Sequence, residues 1–104
     1  MPDIPRLKAE FFRALSHPLR IRLLEVLAEG SRSVSALVAE LGVEQPLVSQ
    51  QLSVLRGAGF VTGRREGASV IYELADERTA ELLATARAML LDQFGALHRE
   101  LRRS

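Results

Sequence analysis

Residues 34–57 read VSALVAELGVEQPLVSQQLSVLRG, two helical patterns on either side of a short turn that contains glycine. Gly42 suits the left-handed conformation that commonly ends a helix. Ser33, immediately before the stretch, suits the N-cap of the first helix because its hydroxyl can accept a backbone N–H. Two short helices joined in this way predict a helix-turn-helix.

The second helix of this pair has two different faces. Val48, Leu52 and Leu55 share one face, because four and seven residues nearly complete whole helical turns. That face is apolar and should be buried, whereas the opposite face carries small polar side chains. These are Ser49, Gln50 and Ser53.

Two strand-like runs follow the helix-turn-helix. They are FVTGRR (60–65) and SVIYEL (69–74), and Gly67 between them suits a hairpin turn. A hairpin in this place makes the unit a winged helix, whose second helix lies in the DNA major groove. Serine, glutamine and arginine can hydrogen-bond base edges there. The polar face of residues 45–56 is therefore predicted to bind DNA.

Three further helices complete the order α-α-α-α-β-β-α, a fold that is mainly α with a small β hairpin. The first covers residues 5–16, the second runs from Pro18 to a stop at Gly30, and the last runs from Asp76 to about residue 102. At 1.5 Å per residue the last helix is about 40 Å long. A partner is expected to cover it, although packing on its own domain stays an alternative. Its apolar stripe is Leu82, Leu83, Ala86, Met89, Leu90, Phe94, Leu97 and Leu101.

Composition limits the classes of function. A chain of 104 residues predicts a single domain, 1–104, and its net charge of +1 does not by itself indicate nucleic-acid binding. The chain has no cysteine, which excludes disulfides, thiolate metal sites and thiol switching. It contains no apolar run long enough to span a membrane and no signal peptide, so we expect a cytoplasmic protein without membrane contact. No catalytic constellation is present, so no enzymatic activity is predicted.

Three stretches together resemble the ArsR/SmtB winged-helix repressors of bacteria. They are FFRALSHPLRIRLLEVL (11–27), LVAELGVEQPLVSQQLSVLRGAGFV (37–61) and RREGASVIYEL (64–74). The resemblance covers roughly residues 6 to 95. It implies a homodimer built from the first and last helices that binds inverted repeats in operator DNA.

The resemblance also places residues in roles. In that family the recognition helix contacts bases at the positions of Gln45, Ser49 and Gln50, and the wing reaches DNA at those of Arg64 and Arg65. Together with the outward face of the helix, the predicted DNA-binding set is Gln45, Ser49, Gln50, Ser53, Arg56, Arg64 and Arg65. A merely solvated face is the alternative.

Some neighbouring residues depart from the family pattern or allow more than one role. Gln50 and Gln51 stand where many members have a histidine pair, and Glu44 replaces the usual serine cap and should repel phosphate slightly. Arg20 and Arg22 are expected to face solvent, with a phosphate contact by either left open.

The predicted division of the chain follows from these assignments. Residues 1–16 and 76–104 form the dimerisation helices, 33–57 the helix-turn-helix and 60–74 the wing. The predicted dimer interface consists of Phe11, Leu15, Leu82, Met89, Leu90, Phe94 and Leu97.

The family's metal sites are largely absent. Where members carry cysteines the chain reads Ser33-Val34-Ser35, and where they carry Asp-x-His it reads Asp76-Glu77-Arg78. No metal site or required cofactor is predicted. Asp92 and His98 are the remaining candidates for a labile nickel, zinc or cobalt ion, since only nitrogen and oxygen ligands are available. His17, before Pro18, is expected to serve the start of the second helix.

We therefore predict a sequence-specific DNA-binding transcriptional regulator, a repressor, that binds an inverted-repeat operator as a homodimer and whose effector is not a thiolate-bound metal. Control could come from a small apolar ligand between the first and last helices, from a separate sensor protein, or from expression level alone. Two alternatives stay open. One is a metal-responsive regulator with nitrogen and oxygen ligands, and the other is a winged-helix module that binds protein and not DNA.

Overall fold

The computed structural model describes residues 1–103, and the side chains of residues 101 and 103 lie outside that description. Within residues 1–103 the chain forms five helices and three strands. In chain order they are α1 (Ile4–Ala14), α2 (Pro18–Ala28), β1 (Arg32–Ser33), α3 (Val34–Leu41), α4 (Gln45–Gly57), β2 (Val61–Glu66), β3 (Ser69–Leu74) and α5 (Arg78–Arg103). None of these helices is long and apolar enough to cross a membrane.

Local side chains fix where the helices begin and end, as the sequence predicts. His17 is the N-cap of α2, and its Nδ1 accepts the Leu19 N–H at 3.1 Å. The Ser33 hydroxyl accepts the Ala36 N–H at 3.1 Å at the start of α3. Gly42 ends α3 with φ +64°, a conformation that costs glycine little because it has no Cβ.

The sheet contains one strand more than the predicted hairpin. All pairings are antiparallel, in the order β1-β3-β2. β1 is only Arg32–Ser33, which pair with Tyr72 and Ile71 of β3. Two residues are too few to show an alternating pattern, so only the pairing with β3 in the folded chain identifies β1 as a strand.

One core holds the helix-turn-helix and the wing together. Leu23, Leu24, Leu37, Leu52 and Leu55 are completely buried. Around them lie the other buried apolar side chains, which are Leu15, Leu19, Leu27, Val48, Phe60, Val61 and Tyr72. α4 is therefore held in place by its inner face, as the spacing of its apolar residues predicts.

Leu15 corrects the predicted dimer interface. Its side chain is only 8% exposed and belongs to the core of its own chain. The reason is that α1 ends at Ala14, two residues earlier than predicted, so Leu15 is the C-cap at which the chain turns toward α2. Its burial in its own chain leaves little of this side chain for a partner.

α5 packs on the domain only through its first turns. Thr79 is buried, and Leu82 and Leu83 pack against the core. From residue 84 to residue 100 every side chain is exposed except for Gly95, which is half-buried. Most of the helix therefore extends away from the core that the rest of the chain forms.

Candidate nucleic-acid interface

The inner face of α4 is apolar, and most of its exposed side chains are polar. Val48, Leu52 and Leu55 are 0% exposed. Around the rest of the helix, Gln45, Gln50, Ser53 and Arg56 are exposed and Ser49 is half-buried. These five side chains offer donors and acceptors in an arc that the core leaves open, which suits contact with base edges in a groove.

The two adjacent glutamines of α4 have different environments. Gln50 is exposed, whereas Gln51 is 9% exposed and lies beside the apolar face. A step of one residue rotates a helix by about 100°, which separates the two side chains. Only Gln50 is available to a ligand from solvent.

The wing separates the two arginines that the sequence treats as a pair. In the β2–β3 ladder Arg64 lies opposite Ile71 and Arg65 lies opposite Val70. Directly opposed residues share a face of the sheet and successive residues alternate. Arg65 therefore lies on the face of Val70 and Tyr72, and Arg64 lies on the other face.

The same alternation decides which guanidinium is paired. Arg64 lies 3.4 Å from a carboxylate oxygen of Glu66 and 3.5 Å from one of Glu73. In the described part of the chain Arg65 has no ion-pair partner. Arg65 is thus the wing cation whose charge is uncompensated.

The face of the wing that carries Arg65 is also the face nearest the start of α4. Val70 and Gln45 line the same cleft of about 460 Å³ between the wing, α3 and α4. Ala68 and Ser69 at the hairpin end line it too. The wing tip and the first turn of α4 therefore form two sides of one concave surface.

Two exposed groups oppose this positive surface. Glu44 is the N-cap of α4 but makes no side-chain hydrogen bond to the helix, so its carboxylate is uncompensated. Glu66 pairs with Arg64 at the end of β2. A negative charge at a helix N-terminus interacts favourably with the helix dipole, but it repels a phosphate that approaches the same end.

A second exposed surface is apolar and lies on α1 and α5. Phe11 is 42% exposed, although its ring lies 4.8 Å from that of Phe60, and Leu90 and Phe94 are 52% and 64% exposed. The exposed large apolar residues of the two helices are Ile4, Leu7, Phe11, Phe12, Met89, Leu90, Leu91, Phe94 and Leu97. Of the predicted interface residues, Leu82 is partly buried in its own chain, and the side chain of Leu101 from the predicted stripe lies outside the described residues.

The positions of the family's metal ligands hold other contacts in this chain. The Ser33 and Ser35 hydroxyls lie 3.2 Å apart and hydrogen-bond to each other. Arg78 binds both oxygens of Asp76, with Nη2 to Oδ2 at 2.6 Å and Nε to Oδ1 at 3.1 Å. The hydrogen bonds from the side chain and backbone N–H of Arg78 lower the pKa of Asp76 from 3.8 to about 2.

Asp92 and His98 both lie on α5, six residues apart. That spacing places them on different sides of the helix, so they do not converge within one chain. Among the described residues no group of three or more histidine and acidic side chains is arranged to hold a metal ion. A site built from these two residues would need ligands from elsewhere.

Comparison with known proteins identifies relatives of this arrangement. Residues 17–62 match the family described as bacterial regulatory protein, arsR family. An HTH-type transcriptional regulator of Mycobacterium tuberculosis, Rv0081, is 54% identical over 86 residues, which are 82% of this chain and 75% of the relative. The probable mercury resistance operon repressor of Streptomyces lividans is 40% identical over 93 residues, 89% of this chain and 74% of that protein.

Solved structures agree with the sequence relatives. The crystal structure of Rv0081 superposes with a TM-score of 0.83 at 47% identity, covering 92% of this chain and 97% of that one. The solution structure of a homodimeric winged helix-turn-helix DNA-binding domain from Mycobacterium bovis, a possible ArsR-family regulator, gives 0.75 at 31% identity, covering 84% and 81%. These matches confirm the predicted winged-helix fold and the resemblance to the ArsR/SmtB family. The chain therefore belongs to the ArsR family of bacterial regulatory proteins and is a transcriptional regulator, not an enzyme.

Proposed function

We propose that this regulator is a homodimeric repressor that binds an inverted-repeat DNA operator, with one α4 in the major groove at each half-site. The observation that carries the proposal is the open polar arc of α4 beside the uncompensated guanidinium of Arg65. Gln50 is assigned to base reading, and Arg65 is assigned to the phosphate backbone or the minor groove. Arg64 is assigned a lesser role, since carboxylates of Glu66 and Glu73 lie within 3.5 Å of its guanidinium and offset part of its charge, as exposed pairs do.

The dimer is proposed to form through α1 and α5. Its support is the apolar surface of those helices, where side chains such as Leu90 and Phe94 are more than half exposed in one chain. Removal of this exposed apolar surface from water by a partner lowers the free energy and so favours association. A homodimer also gives the two-fold symmetry that an inverted repeat requires.

The effector is proposed not to be a metal held by thiolates or by a four-ligand site. The support is that Arg78 already occupies both oxygens of Asp76, where a cation would otherwise bind. A separate sensor protein or a small apolar ligand would be compatible with this arrangement. Operator affinity of chelator-treated protein, repeated with nickel, zinc and cobalt, tests the proposal. A tenfold change with one metal that Asp92→Ala or His98→Ala abolishes would establish a metal sensor instead.

The experiment that tests the main proposal is selection from a randomised duplex library with the purified protein. The proposal predicts enrichment of an inverted repeat whose half-site centres lie about one helical turn apart, roughly 10 base pairs. Retention of DNA without an enriched sequence would remove the specific part of the proposal. Absence of DNA binding at low salt would favour the protein-binding alternative, for which Leu47 and Val54 on α4, 42% and 41% exposed, are the anchors available.

A further inference from the structure

A cleft at the junction of α1, α2 and α4 contains two arginines that no described acidic side chain pairs. The cleft has a volume of about 340 Å³. Its lining comes from Glu10, Arg13, Ala14 and Ser16 around the end of α1, from Arg20 of α2 and from Val54 of α4. We call it the α1–α2 cleft.

Arg20 is the unusual residue of the α1–α2 cleft. It is half-buried, which corrects the expectation that it faces solvent. Among the side chains that the structure describes, its Nε is the only buried nitrogen or oxygen atom without a hydrogen-bond partner. A buried donor left without a partner costs free energy, and native structures usually supply a partner from protein, water or ligand.

Arg32 makes a useful comparison, because this chain is able to satisfy a half-buried guanidinium. The Nε of Arg32 lies 2.7 Å from a carboxylate oxygen of Glu40, and its Nη1 donates to the Gly30 carbonyl at 2.9 Å. Neither Arg13 nor Arg20 has an ion-pair partner in the described part of the chain. Arg13, which is exposed, and Arg20, which is half-buried, therefore keep an unpaired positive charge for an anion from outside the domain, although the Nε of Arg20 is itself shielded from solvent.

The cleft borders the surface assigned to DNA. Val54, which lines it, lies one helical turn after Gln50, and residues four apart share a face of a helix. Arg20 reaches this cleft from the first turn of α2, and Arg13 reaches it from the end of α1. Anionic backbone beside the major groove would meet these groups when α4 is seated in it.

We propose that Arg13 and Arg20 bind a phosphodiester of the DNA backbone next to the half-site that α4 reads. This inference rests on the proposed function, which it extends to a second contact on the α1 and α2 side of the recognition helix. The contact positions the protein on the duplex and carries no sequence information. The α1–α2 cleft meets α4 at Val54, whereas the cleft beside the wing meets α4 at Gln45, so the two backbone contacts would lie at different points along the helix.

Glu10 provides an internal test of the sign of the charge. Its carboxylate lines the same cleft and is 3.8 Å from the Arg6 guanidinium, an exposed and therefore weak pair. Glu10 should repel the phosphate that the arginines attract. Glu10→Gln should therefore tighten DNA binding, while Arg20→Gln should weaken it.

The experiment measures the affinity of the dimer for its selected operator and for random duplex between about 50 and 200 mM salt, the range in which such contacts strongly change affinity. Arg20→Gln and Arg13→Gln should each weaken both duplexes by a similar factor, roughly tenfold near 0.1 M salt for each lost phosphate contact. Each should also reduce the slope of log affinity against log salt by about one per protomer. Arg20→Lys should retain the slope, because a lysine can keep the phosphate contact.

Arg99→Gln is the matched control, because Arg99 is an exposed arginine near the end of α5. It should leave the slope unchanged. Arg20→Gln should melt close to the parent protein, since the Arg20 guanidinium makes no hydrogen bond or ion pair with any described residue. A lower melting temperature with an unchanged slope would make Arg20 a structural residue, and parental slopes for both Arg13→Gln and Arg20→Gln would overturn the inference while the proposed function stands. Parent protein that binds neither duplex would overturn both.

Discussion

At the scale of single residues, neighbours in the sequence have different roles because the fold turns them to different sides. Gln50 is exposed and Gln51 is buried. Arg65 is uncompensated and Arg64 is paired with two carboxylates. The helical period predicts the first distinction, as it predicts that Val48, Leu52 and Leu55 are inside. The difference between Arg64 and Arg65 depends on how β2 pairs with β3, and the sequence of residues 60–74 alone does not show that pairing.

Gln50 is the residue whose loss should affect specificity most selectively. Gln50→Ala should cost about 1–3 kcal/mol of binding free energy on the selected operator and little on random duplex, since a base contact discriminates and a phosphate contact does not. Fluorescence anisotropy titrations with both duplexes measure this. Equal losses on both would remove Gln50 from the base-reading residues.

The two wing arginines should respond unequally to substitution. Arg65→Ala should weaken operator and random duplex alike and reduce the salt slope by about one per protomer, because its charge is free for a phosphate. Arg64→Ala should have a smaller effect, since Glu66 and Glu73 hold that guanidinium at 3.4 and 3.5 Å. The same salt titrations compare the two variants. A larger effect for Arg64→Ala would mean that its surface ion pairs open on binding.

The Asp76–Arg78 pair should be insensitive to physiological changes of pH. Because the pKa of Asp76 in the folded chain is about 2 and its ordinary value is 3.8, the pair stabilises the fold fully above pH 3.8. That contribution is lost as the pH falls through 2. In Arg78→Gln the pKa of Asp76 should rise toward 3.8 but stay below it, because the backbone N–H of residue 78 still donates to Oδ1. An NMR titration of the Asp76 carboxyl carbon measures the change, and an unchanged pKa would refute the assigned cause.

At the scale of elements, the sequence predicts long and periodic features well and short ones poorly. α5, β2 and β3 lie within a few residues of their predicted bounds, because each has enough residues to display its period. β1 and the early end of α1 were missed, and the second error placed Leu15 in an interface although it is buried. Both features depend on contacts between segments that are distant in the sequence, and a local sequence pattern does not show such contacts.

The apolar face of α5 should be needed for assembly. Leu90→Asp would place an unpaired charge in the proposed seam between two copies, and it should give monomer in sedimentation experiments at micromolar concentration. Leu90 is 52% exposed in one chain, so folding of the monomer should survive the change. Ala88→Asp is the control, because it adds the same charge on the polar side of α5. A parent protein that is itself monomeric would contradict the dimer.

At the scale of the whole molecule, the chain divides its exposed surface by chemistry. The polar arc of α4 and the unpaired Arg65 lie on the helix-turn-helix and the wing, and the unpaired Arg13 and Arg20 lie where α1 and α2 approach α4. Most of the exposed large apolar residues lie on α1 and α5. Because the net charge is only +1, the proposed DNA binding depends on where the unpaired cations lie and not on the total charge. The fold and the outward residues of α4 could be predicted from the sequence. The uncompensated charge of Arg20 and Arg65 could not, because it depends on which carboxylates the fold brings near.

The spacing of the two half-sites tests whether one symmetric dimer binds both half-sites at once. The affinity of the parent protein should be measured for the selected inverted repeat and for the same duplex with about half a helical turn, roughly 5 base pairs, inserted between its halves. A rigid dimer can then place only one of its two α4 helices in the major groove of a half-site. Its affinity for the lengthened duplex should therefore fall close to its affinity for random duplex. Unchanged affinity for the lengthened duplex would contradict a symmetric dimer that reads both half-sites together.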